Sequence, residues 1–220
     1  MHIYNVRQNR PQPGLRPQHL EAVLTAARLC DAELEGASVS SRELWFKPKK
    51  AKGGRVEAEI GTAGSIPMLL MTVLPICVFA ENTVNLRVSK GGTDVSHSPT
   101  INYMRFVLLP TLKRMGISAS LTVHKYGYYP KGMGEVTLSV EPCDSLQQIR
   151  LEDFGRVKAI KGVSVCTFLA ERKVAERQAK TANEYLKEKG CITDIQIIND
   201  KSNPQQKGSS LVLWAETDTG

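Results

Sequence analysis

No apolar run in this chain approaches the roughly 20 residues that a membrane helix needs. The longest, Ile66 to Ala80, is broken by Pro67, Thr72 and Pro75 and reads as a buried helix. The first residues lack the charged, apolar and small-residue order of a signal peptide, so a cytoplasmic protein is expected. Cysteine is sparse and unpatterned. Cys30, Cys77, Cys143, Cys166 and Cys191 are odd in number and nowhere spaced C-x-x-C. They read as reduced thiols, not as a disulfide framework or a metal site. What is present suits a globular fold: 41% hydrophobic and 23% charged residues over 220 positions, enough for one or two domains. The net charge of +7 favours a polyanionic partner without identifying it.

The densest local signal is Val6 to Leu20, which places Arg7, Arg10 and Arg16 among Pro11, Pro13, Gly14 and Pro17. Guanidinium forks suit phosphate, and prolines that fix φ would hold them in place before a ligand arrives. Pro17 fits the first position of a helix, whose N-terminus favours anions. Taken alone, these residues fit a solvated basic loop about as well.

Leu20, Val23, Leu24, Ala27 and Cys30 fall on one face, predicting an amphipathic helix from Pro17 to about Cys30. Strands are expected over Glu33–Val39, Glu43–Lys47 and Arg55–Ile60. A basic hairpin loop carrying Lys49, Lys50 and Lys52 joins the last two. Ser65 is a suitable N-cap for the apolar helix. A strand over Thr83–Ser89 buries Val84, Leu86 and Val88. Pro99 then opens a helix to about Met115, with Tyr103, Phe106, Val107 and Leu109 among its apolar positions. Strands over Ser118–His124 and Glu135–Val140 complete this part. Its order repeats after about 80 residues, Pro17 matching Pro99, which predicts tandem α/β units. From about residue 151 the character changes to strand 157–165, a charged helix 171–189, and strands 193–198 and 209–216.

The motif R-x-x-R-P-x-P-G-L-R-P-Q-H-L resembles the signature of RNA 3′-terminal phosphate cyclases. The likeness continues through Ile60-Gly61-Thr62-Ala63-Gly64-Ser65, Gly91-Gly92-Thr93-Asp94 and Tyr128-Tyr129-Pro130-Lys131-Gly132, collinear over nearly the whole chain. The resemblance implies an α+β fold: a large domain of tandem β-α-β-α-β-β units, as in enolpyruvyl transferases, with a smaller inserted α/β domain. Here residues 1–150 would belong to the large domain and 151–220 to the insert. It also implies a chemistry. ATP gives AMP to a histidine, AMP passes to an RNA 3′-phosphate, and the neighbouring 2′-hydroxyl closes a 2′,3′-cyclic phosphate. ATP, Mg2+ or Mn2+, and RNA 3′-phosphate ends are the implied cofactors and partners. Arg7, Arg10 and Gln18 match the family's phosphate pocket, Pro99 matches the proline on the adenine face, and Tyr103 lies one turn further on.

Some family features have no counterpart here. The glycine-rich E-G-G-G-Q-type segment with its metal-binding glutamate would precede Met1, and the adenylated histidine would follow Gly220. None of His2, His19, His97 or His124 lies in a matching motif, and His19 reads as structural, so no catalytic or metal-binding residue is expected within the chain. Met71 stands where glutamine is common, Met133 replaces a glycine, and Asn102 stands where an acid is common. The isolated chain is therefore expected to be catalytically incompetent. It derives either from an active cyclase or from a non-catalytic relative that binds RNA or assists ribosome assembly. Sheet edges and apolar surface left for missing units leave room for a homo-oligomer.

Overall fold

A computed structural model describes residues 1–219. Its centre is a four-stranded sheet of order β4-β5-β7-β6. These strands are β4 (Gly54–Glu59), β5 (Val84–Gly91), β7 (Gly134–Val140) and β6 (Ala119–Lys125). β4 and β5 are parallel and joined through helix α2 (Ile66–Val78), and the other neighbours are antiparallel. The register aligns Val56, Leu86, Leu138 and Leu121 in one row across the sheet. Alternation along each strand thus becomes one apolar face. Val84, Leu86, Val88, Val136, Leu138 and Val140 are completely buried there. Truncating Leu86 or Leu138 to alanine would cost about 2–5 kcal/mol.

Helix α1 (Pro17–Cys30) packs on α2 and β4. Its buried residues are Ala22, Thr25, Ala26, Ala27, Leu29 and Cys30, whereas Leu20, Val23 and Leu24 are half-buried. The buried face therefore keeps Ala27 and Cys30 of the one expected and shifts otherwise to Ala22, Thr25, Ala26 and Leu29, on the side that packs against α2. Helix α2 is not buried all round either: Met68 and Met71 are exposed along one side, as is Phe79 just after its end.

The helix expected from Pro99 begins two residues later. Thr100 caps it, its hydroxyl accepting from Tyr103 N–H at 3.0 Å. The helix runs as α3 (Ile101–Tyr103), a π turn (Met104–Leu108) and α4 (Leu109–Lys113). Pro110 supplies the reason for the wide turn, since its ring cannot sit against the carbonyl four residues back. Tyr103, expected among the apolar positions, is exposed.

A separate antiparallel sheet, β1 (His2–Ile3), β3 (Leu44–Lys47) and β2 (Glu33–Glu35), flanks the first helix. β2 ends short of Val39, because residues 40–41 leave it to bond the arginine loop. The expected hairpin between β3 and β4 does not form. β3 pairs with β1 and β2, β4 pairs with β5, and residues 48–53 cross between two sheets. Lys49 and Lys50 make exposed ion pairs there with Asp31, Glu33 and Glu81. Because β6 and β7 do pair as neighbours, the strand pairing of the first stretch is not repeated in the second.

The last part forms a three-stranded sheet of order β10-β8-β9, with β8 (Val157–Thr167), β9 (Thr193–Asp200) and β10 (Gly208–Thr217). Helix α5 (Val174–Glu188) covers one face. The other face meets the first part of the chain, where Trp214 stacks on Phe106 with centroids 5.1 Å apart. Asn203 Nδ2 crosses the seam to the Tyr126 carbonyl at 2.7 Å. Beside it lies Asp94, whose Oδ2 accepts from Thr93 while Oδ1 is enclosed without a hydrogen-bond partner among the described residues. Burial pushes the Asp94 carboxyl above the usual range, and the Thr93 hydroxyl offsets part of that shift. The chain is thus mixed α/β, with several sheets and few helices.

Candidate functional site

The arginine loop is held by its backbone as much as by its prolines. Gly14 N–H donates to Val6 O at 2.8 Å, Ser40 N–H to Leu15 O at 2.7 Å, and Leu15 N–H to Ser41 O at 2.9 Å. Arg7 braces the loop from inside, its Nη1 donating to Gln12 O at 2.6 Å and to Gly14 O at 3.2 Å. Part of that guanidinium is therefore structural, which spacing alone could not reveal. Arg10 is exposed, and its side chain has no partner among the described residues.

At the first turn of α1, Gln18 Oε1 accepts from Ser65 N–H at 2.9 Å. The contact needs Gly64, because a Cβ there would lie 2.7 Å from Gln18 Cβ. Ser65 caps α2, its Oγ accepting from Met68 N–H at 3.1 Å, and the same hydroxyl bonds the Ser98 hydroxyl. Ser98 precedes Pro99, which is half-buried. Gln18 and Ser98, far apart in sequence, thus meet at Ser65, while Tyr103 lies exposed on the stretch that Pro99 begins. The loop lies just N-terminal to Gln18, but only Arg7 of its two candidates touches neighbouring groups.

The glycine-rich turn itself offers few free donors. Ile66 N–H goes to Gly92 O at 2.9 Å, Pro67 has none, and Met68 N–H is taken by Ser65. At α1, His19 and Leu20 N–H both go to Arg16 O. Any anion held here therefore depends mainly on guanidinium groups.

His19 was not among the expected binding residues, yet it sits in their midst. Arg16 N–H donates to His19 Nδ1 at 3.2 Å, so the neutral ring carries its proton on Nε2. Burial lowers the His19 pKa, and the charges of Arg7 and Arg16 lower it further. The sequence signal was its place beside three arginines. The other histidines are elsewhere or unengaged. His2 is stacked on Trp45 at 3.8 Å, His124 bonds Thr137 at 2.9 Å, and His97 is exposed on the loop before Ser98. Asn102, at the acid-bearing position, is buried, its Oδ1 accepting from Tyr126 Oη at 3.4 Å. No helix is long and apolar enough to cross a membrane among the described residues.

Comparison with known proteins places the whole matched stretch in one family. The family model described as RNA 3′-terminal phosphate cyclase matches residues 1–206. A protein of Pyrococcus furiosus named RNA 3′-terminal phosphate cyclase is 44% identical over 216 residues, 98% of this chain and 62% of the relative. Relatives of the same name from Pyrobaculum aerophilum and Methanopyrus kandleri are 43% and 42% identical, each over 99% of this chain and 62% of their own length. The chain spans less than two thirds of the curated relatives it matches. All four motifs lie within the matched stretch, and the chain belongs to the RNA 3′-terminal phosphate cyclase family.

Proposed function

We propose that the arginine loop, with Gln18, Pro99 and Tyr103, holds ATP for the conversion of RNA 3′-phosphate ends to 2′,3′-cyclic phosphates. The observation carrying this reading is the Gln18–Ser65–Ser98 connection, which joins the arginine-loop motif and the glycine-rich turn to the residue before Pro99. In this chemistry adenylyl transfer to a histidine expels pyrophosphate, and a second transfer places AMP on the RNA phosphate. Attack by the 2′-hydroxyl then expels AMP. Charge on the phosphate oxygens is what a protein must neutralise in each step. Arg10, free to swing, and the unspent nitrogens of Arg7 supply cations. Pro99 and Tyr103 offer apolar surface for adenine. Among the described residues no three His, Cys, Asp or Glu side chains converge, so they do not fit a caged Mg2+ or Mn2+. Guanidinium groups are the proposed phosphate partners.

We assign binding to this chain and the adenylyl-acceptor role to none of its histidines. His19 has its Nδ1 engaged and a proton on Nε2, His2 and His124 are tied to other partners, and His97 matches no motif. ATP titration of the wild type and Arg10→Ala tests the binding reading. Losing one charged hydrogen bond is worth about 1.5–3 kcal/mol, so affinity should fall about 10- to 150-fold. Equal affinities would sink the pocket. With radiolabelled ATP, AMP that survives denaturation and vanishes in His97→Ala would overturn the histidine assignment.

A second reading is a catalytically inactive cyclase-like scaffold that binds RNA. Met71 favours it, being exposed on α2 with no polar group to offer a nucleotide. It predicts salt-dependent RNA binding with no ATP binding.

A further inference from the structure

The turn Tyr128–Gly132 lies against the glycine-rich turn Gly61–Ser65. Gly132 N–H donates to Tyr128 O at 2.7 Å, and Asn203 Nδ2 donates to Tyr126 O and Gly132 O at 2.7 and 3.2 Å. Lys131 N–H donates to Gln206 Oε1 at 3.1 Å. The Tyr128 ring is buried beneath Gly208, where an added Cβ would lie 2.2 Å from the ring. The turn also leans on the glycine-rich turn. A Cβ at Gly132 would sit 2.9 Å from Thr62 O and 3.0 Å from Ala63 Cα. It is therefore fixed by both sheets and by the loop that Gln18 holds.

This anchored turn presents an exposed phenol. Tyr129 is 78% exposed, and its ring has no aromatic, cationic or hydrogen-bonding partner among the described residues. Turns ordinarily end in small or polar residues, and a large ring left in water forgoes the burial it could gain. Three lysines lie on the turn or on the loop hydrogen-bonded to it: Lys131 on the turn, and Lys201 and Lys207 at the two ends of the loop that carries Asn203 and Gln206. All three are exposed and form no ion pair among the described residues. An unpartnered ring on a rigid support, among unpaired cations, is the chemistry that takes single-stranded nucleic acid.

We propose that Tyr129 stacks a base near the 3′ end of single-stranded RNA, and that Lys131, Lys201 and Lys207 hold its phosphates. The RNA then runs along the seam between the two parts of the chain toward the arginine loop. Only that direction rests on the nucleotide reading; the stacking subsite stands on the turn itself.

The test uses the full 220-residue chain and a fluorescein-labelled RNA of about ten nucleotides ending in a 3′-phosphate, followed by anisotropy. Tyr129→Ala should weaken binding about tenfold, within what loss of one base–aromatic stack brings. Tyr129→Phe should stay within about twofold, because the ring remains. Lys131→Ala/Lys207→Ala should flatten the dependence of affinity on salt. Thermal unfolding and ATP affinity should be unchanged in all variants. Wild-type-like RNA affinity in Tyr129→Ala, no RNA binding by the wild type, or ATP affinity falling alongside RNA affinity would each overturn the proposal. If the wild type binds no ATP while Tyr129→Ala alone loses RNA, the nucleotide reading fails and the stacking subsite stands.

Discussion

Replacing Gln18 by alanine separates the structural from the ligand-binding side of the site. The Ser65 N–H that Gln18 accepts belongs to a residue only 1% exposed, so the truncation strands a buried donor. That costs about 1–3 kcal/mol. At about 2–4 °C per kcal/mol for a chain of this size, the melting temperature should fall by about 2–12 °C. Gln18→Glu keeps an oxygen for Ser65 and adds a negative charge at the start of α2, where the helix dipole favours it. Its melting temperature should stay near wild type. The same charge would face the phosphates, and at about 5 Å and an effective dielectric between about 20 and 80 repulsion is about 1–3 kcal/mol. ATP affinity should therefore fall about 5- to 150-fold in Gln18→Glu without loss of stability. Circular dichroism melts and ATP titration on both variants provide the readout. An unchanged melting temperature in Gln18→Ala would mean that Gln18 does not fasten α1 to the glycine-rich turn.

Asp94→Asn should raise the melting temperature at neutral pH. Burial raises the Asp94 pKa, so folding favours its protonated form. The associated stability is fully present below the ordinary carboxylate pKa of 3.8 and is lost as pH rises through the folded value. The advantage of asparagine should thus vanish on acidification, and melts across the pH range would show whether it does. His19 works in the opposite sense. Its folded pKa lies below 6.5, so the unfolded chain takes up the proton first and stability falls as pH drops through 6.5 toward the folded value. Substituting glutamine for His19 should remove that part of the acid sensitivity.

Alternating apolar residues in Arg55–Ile60 and Thr83–Ser89 were legible because a half-buried strand has a period of two, and the structure buries the same side chains. Periodicity names a face and not a partner, so the lysine-rich stretch before Gly54 read as a hairpin when it is a crossover between sheets. The α1 stripe misled for a related reason: the bulkiest apolar residues drew attention, while the close contact with α2 selected Ala22, Ala26 and Thr25. The π turn needed the clash of Pro110 with the preceding turn to be followed through. At the site, charge and proline content marked the loop. The inward bonds of Arg7 and the Gln18–Ser65 contact are tertiary facts that no local pattern carries. Tyr129 sits in a motif beside Tyr128, and only the fold distinguishes the buried ring from the exposed one.

On this proposal, phosphate groups come to rest at Arg7 and Arg10, beside His19. His19 reports on that place directly, since its lowered pKa reflects burial and the two nearby arginine charges. A pH titration of the His19 ring resonances by NMR, with and without ATP, should show the pKa below 6.5 in the free protein and displaced upward when phosphate negative charge arrives. A His19 titration that ATP leaves unmoved, at concentrations that saturate binding, would place the nucleotide elsewhere and contradict the account.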